Sequence, residues 1–125
     1  MPTFHIKRNT FGQEETHNRM RINSHGLTRI NYLKLKVIES KTPELKKIFQ
    51  KAINEIIELT KKCDAEVNKL YKEMKRSPNN TELTTKLQQR IVQSIQSHEK
   101  NCSSVMKGLD TLPLPDTTSI KNNLQ

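Results

Sequence analysis

The sequence predicts a mainly α protein. Its centre is a long antiparallel two-helix hairpin of coiled-coil type over residues 42–110, preceded by a basic segment, 1–41, and followed by a flexible tail, 111–125. Three observations predict this: two apolar stripes at helical spacing, a turn signal at Ser77-Pro78-Asn79-Asn80, and a mirrored match between the stripes.

The first helix has a clear start. Thr42 is a good N-cap, Pro43 suits the first helical position, and Glu44 places negative charge at the positive end of the helix dipole. The apolar residues then run Leu45, Phe49, Ala52, Ile56, Leu59, Cys63, Val67, Leu70 and Met74. Their steps of three and four are the rhythm of a helix packing on a helix, with a stutter around Cys63 that relaxes the supercoil.

The second stripe runs Leu83, Leu87, Ile91, Ile95, His98, Cys102, Val105 and Leu109. Folding the chain about Pro78-Asn79 sets Met74 opposite Leu83, Leu70 opposite Leu87, Val67 opposite Ile91 and Cys63 opposite Ile95. The same fold sets Leu59 opposite His98, Ile56 opposite Cys102, Ala52 opposite Val105 and Phe49 opposite Leu109. Such a mirrored match argues for an αα-hairpin. Gly108 is placed to end the second helix, and Pro113 and Pro115 prevent its resumption.

A bare hairpin buries one stripe per helix and needs a cover: the N-terminal segment, a second copy or a partner. The hydrophobic fraction of 32% and aromatic fraction of 4% suit an elongated, sparse core. In residues 1–41, Phe4 and Ile6 alternate with polar neighbours, and Arg8 to Arg19 reads as a loop or disordered arm. Over residues 20–38, Leu33, Leu35 and Val37 alternate with Lys34 and Lys36, which predicts a β-hairpin packing on the start of the first helix. The competing helical face, Leu27, Ile30, Leu33 and Val37, is spoiled by Leu35, so extended structure is preferred.

No chemical signature is present. There is no glycine-rich phosphate loop, nucleophile elbow or placed carboxylate pair, so an enzyme is not expected, nor a cofactor. His98 and Cys102 stand at i, i+4, half a zinc site at best, and core packing accounts for them more simply. No metal is expected.

Function therefore has to come from surface. The N-terminal half of the first helix adds Ile48, Ile53 and Ile57, widening its apolar sector beyond what the second helix covers. These three are the expected partner-binding residues of a non-enzymatic interaction module, an adaptor, chaperone-like or assembly subunit. The partner is another protein, acidic in character, or a second copy of the chain. The alternative is nucleic-acid binding. The formal charge is +9, and residues 1–41 carry eight Lys/Arg against three acids. Arg19, Arg21, Arg29, Lys34 and Lys36, near Tyr32, would make the phosphate contacts. No RNP, zinc-finger or helix-turn-helix pattern accompanies them. With no export signal and no apolar run of membrane-spanning length, the expected setting is cytoplasmic or another reducing compartment.

The register also fixes the two thiols. Cys102 lies seven residues beyond the position opposite Cys63, roughly 10 Å along the axis, whereas a disulfide needs Cα atoms within about 7 Å. Oxidised native protein should show no Cys63–Cys102 bridge on mass spectrometry of a non-reducing digest, and finding one would place the turn several residues later.

Overall fold

The computed structural model describes the backbone of residues 2–110 and the side chains of residues 12–110; the tail expected over 111–125 lies outside the described residues. The described residues form three helices: α1 (Pro2–Glu39), α2 (Pro43–Arg76) and α3 (Thr81–Asp110). The mainly α expectation holds. The β-hairpin expected over residues 20–38 does not form: this segment is helix, and so is the polar run from Arg8 to Arg19.

The ends of α2 and α3 have local causes. The Leu45 N–H donates to Thr42 Oγ1 at 3.3 Å, the cap that the sequence suggests. After Arg76 the chain turns through Ser77, whose N–H donates to the Met74 carbonyl, and Asn80, whose N–H donates to the Ser77 carbonyl. Asn80 then caps α3, its Oδ1 accepting from the Leu83 N–H at 3.1 Å.

α2 is the central element. It packs along α1 on one side and α3 on the other, while α1 and α3 touch each other only slightly. Across α2 and α3, Thr60 meets His98, Cys63 meets Ser94 and Glu66 meets Arg90. One apolar cluster, nearer the Ser77–Asn80 turn, gathers Ile22, Val67, Leu70, Tyr71, Met74, Leu87, Ile91 and Ile95. The other, towards the α1–α2 connection, gathers Leu33, Leu45, Phe49, Ala52, Ile53, Ile56 and Cys102. Each takes residues from all three helices.

The inward line of α1 explains why a strand was the better reading of its sequence. Glu15, Arg19, Ile22, Gly26, Arg29, Leu33 and Val37 follow each other at steps of three and four, a helix-packing rhythm. Only Ile22, Leu33 and Val37 on that line are apolar. Leu35, which breaks the helical pattern, is 57% exposed, whereas Leu33 is fully buried. The alternation of Leu33, Leu35 and Val37 is one inward residue, one outward residue and one at the edge of the seam.

Gly26 sets how closely α1 approaches α2. A Cβ at that position would lie 2.4 Å from Thr60 Oγ1 and 3.1 Å from Thr60 Cγ2. Thr60 has little room to yield, since it is buried and bonded to His98. Gly26→Ala should therefore set a helix-propensity gain of about 1 kcal/mol against an overpacking cost of about 1–3 kcal/mol. We expect net destabilisation in urea melts, only partly relieved when Thr60→Ser is added, because serine removes the γ2 methyl but keeps the Oγ that lies nearest. A more stable single variant would contradict the close approach.

Candidate interaction surface and the polar layer beneath it

The candidate partner-binding isoleucines fall in different places. Ile53 is 2% exposed, inside the cluster that Leu33 of α1 completes. Ile57 is half-buried against the same cluster, together with Ile30 and Val37 of α1. Ile48 is half-buried. The widened apolar sector of α2 is thus covered largely from within the chain, by α1.

The five candidate phosphate contacts are also largely engaged. Arg19 donates from Nε and Nη2 to the two carboxylate oxygens of Asp64, each at 3.0 Å, a fork that joins α1 to α2. This pairing holds the Asp64 carboxyl below its usual range and the Arg19 guanidinium above its own. Arg21 donates to Glu99 of α3 at 3.1 Å. Arg29 donates to the His25 carbonyl, and Lys36 lies over the Tyr32 ring and near Glu39. Lys34 is exposed. Four of the five therefore serve contacts within α1 or between helices.

Two further polar groups tie α1 down near the Ser77–Asn80 turn. Tyr71, fully buried, donates its hydroxyl to Glu14 at 3.0 Å and accepts from Asn18 Nδ2 at 2.8 Å. Burial, first of all, pushes the phenol well above its usual range. Lys75 donates to Glu15 beside it.

A polar layer crosses the middle of the fold. His98 is 3% exposed, with Nε2 3.0 Å from Thr60 Oγ1 and 3.5 Å from Cys102 Sγ. Its Nδ1 is buried with no hydrogen-bond partner among the described residues. Burial lowers its pKa, with Arg29 and His25 pressing the same way and Glu99 opposing. Burial raises both thiols, so Cys63 and Cys102 are held as poor nucleophiles. Among the described residues no three His, Cys, Asp or Glu side chains come together as a metal site.

The outward side of α1 is the surface the sequence missed. Met20, Leu27, Leu35 and Ile38 are 66%, 55%, 57% and 77% exposed. Met20, Leu27 and Ile38 fall on one line of the helix, with Leu35 beside it. The signal was present as their 7- and 11-residue spacing, but Ser24, Asn31 and Lys34 interrupt it. No described helix is long and apolar enough to cross a membrane. No known protein family, curated protein or solved structure matches the chain.

The Arg19–Asp64 fork separates a structural arginine from a nucleic-acid contact. Arg19→Ala should lower stability by about 1–2 kcal/mol in urea melts, the magnitude of a charge-assisted, partly buried pair. An unchanged midpoint would return Arg19 to the surface.

Proposed function

We propose that this chain is a non-enzymatic protein–protein interaction module, an adaptor, chaperone-like or assembly subunit, that works through an apolar helix face. The observation that carries the reading is the outward stripe of α1, Met20, Leu27, Leu35 and Ile38, which nothing in the described chain covers. Large apolar side chains aligned on one exposed helix face are characteristic of docking surfaces. Ile53 is buried in the closed chain, so the docking face proposed here lies on α1 rather than on α2.

The occupant that fits is an amphipathic helix with acidic flanks, lying along α1 as a fourth helix. The spacing of the stripe suits a helix, and its interruption by Ser24, Asn31 and Lys34 suits a reversible contact of defined register. Charge supports an acidic partner over a second copy. The chain carries +9, and Lys34, Lys41, Lys46 and Lys47 all lie close in sequence to the α1–α2 connection. Glu39 and Glu44 are the acids there.

Nucleic-acid binding is the rival, and the same experiment separates the two. A photoreactive residue at position 35 should give a discrete protein adduct in cells. Ile38→Asp should abolish the adduct without altering the melting curve, because Ile38 is exposed. Reversing Arg29, Lys34 and Lys36 to Glu should weaken it but leave it detectable. A nucleic-acid adduct lost on charge reversal and kept in Ile38→Asp would overturn the proposal.

A further inference from the structure

His98 stands apart from the outward face of α1. It sits where α1, α2 and α3 meet: Thr60 of α2 bonds its Nε2, Cys102 of α3 touches it, and Gly26 of α1 closes over Thr60. A buried imidazole with an unpartnered nitrogen costs less while neutral than when protonated, because the charged ring needs a second acceptor or water. The described residues supply no acceptor at Nδ1.

We infer that the Gly26–Thr60–His98 layer is a proton-sensitive latch: protonating His98 loosens α1 from α2 and uncovers Leu45, Phe49 and Ile53, while α2 and α3 stay paired. The direction follows from the groups around the ring. From α1 come His25 and Arg29, both cations once His25 is protonated, and both oppose charge on His98. From α2 come Thr60, which is neutral, and Cys63, whose thiol burial keeps protonated. Asp64, next to Cys63 in sequence, is occupied by Arg19. From α3 come Cys102, also kept as the thiol, and Glu99. Among the described residues Glu99 is the acid that favours the charged ring, and its Oε1 already serves both Arg21 and His25. The repulsion therefore falls on α1, and moving α1 away also opens the layer to water.

One effect runs the other way, because protonated His25 would bind Glu99 better. That pair is partly exposed and shares its acceptor oxygen with Arg21, so it is the weaker of the two. For His98 itself the sign is fixed. The closed state takes up its proton only below the ordinary value of 6.5, whereas the open state takes it up near that value. Closure is complete above 6.5 and weakens as the pH falls through and below it.

Hydrogen exchange of the full chain at about pH 7.5 and about pH 5.5 tests the latch. After correction for intrinsic rates, amides of residues 20–38 should lose protection by about threefold or more at the lower pH. Amides of α2 and α3 around Cys63 and Ile95 should keep theirs. His98→Gln should abolish the difference, and His25→Gln should retain it. Equal loss in all three helices, no change in α1, or a pH response that survives His98→Gln would overturn the proposal. Should His98→Gln fail to fold, the wild-type ring decides by NMR. Its titration must track the α1 exchange, and protonation of His98 with α1 still protected would also overturn it.

Discussion

The fold depends on the width of the apolar sector of α2. One neighbouring helix covers the seam from Leu45 to Met74, but Ile53, Ile57 and Tyr71 extend it further round. Leaving a side chain the size of Ile53 in water instead of burying it would cost about 2 kcal/mol. A second neighbour is therefore needed, and α1 supplies it. Thr60 is where the two neighbours meet, facing Gly26 on one side and His98 on the other.

The two sides of α2 are held by different chemistry. Towards α3 the contact is mainly apolar, through Val67, Leu70, Leu87, Ile91 and Ile95. Towards α1 it depends heavily on paired polar groups: Arg19 with Asp64, Tyr71 with Glu14 and Asn18, and Glu15 with Lys75. Polar pairs specify register more than they stabilise, because desolvation offsets much of their attraction. The α2–α3 contact is thus mainly apolar, whereas α1 adds to the apolar contacts of Ile22 and Leu33 a set of polar pairs that respond to charge. The latch beneath α1 draws on that difference, whereas the function proposed for its outer face rests on the exposed stripe alone.

Helical character, the Thr42 cap and the Ser77–Asn80 turn region were legible because each has a local signal: capping chemistry, turn residues, and apolar spacing at threes and fours. α1 was not, and the reason is specific. Its inward line replaces apolar residues with Glu15, Arg19, Gly26 and Arg29, whose partners lie about 35–60 positions away in sequence or are backbone atoms of α1 itself. Its outward line carries Met20, Leu27, Leu35 and Ile38 instead. A periodicity argument assigns apolar residues to the interior, so it reads such a helix poorly. The basic cluster was read as a free surface for the same reason: Asp64 and Glu99 give no sign in the sequence that they are already bound to Arg19 and Arg21. His98 stood out as the polar member of its stripe, but nothing local announced Thr60 as its partner.

The close crossing of α1 over α2 is the claim on which the rest stands, and an NMR distance measurement addresses it most directly. A bare glycine against the Thr60 hydroxyl and γ2 methyl leaves one Gly26 Hα next to that methyl. A strong cross-relaxation peak between them, with helical Cα shifts through residues 20–38, is the predicted result. Extended shifts over residues 27–38 with no Gly26–Thr60 peak would contradict the account, returning the chain to a two-helix hairpin with an uncovered α2.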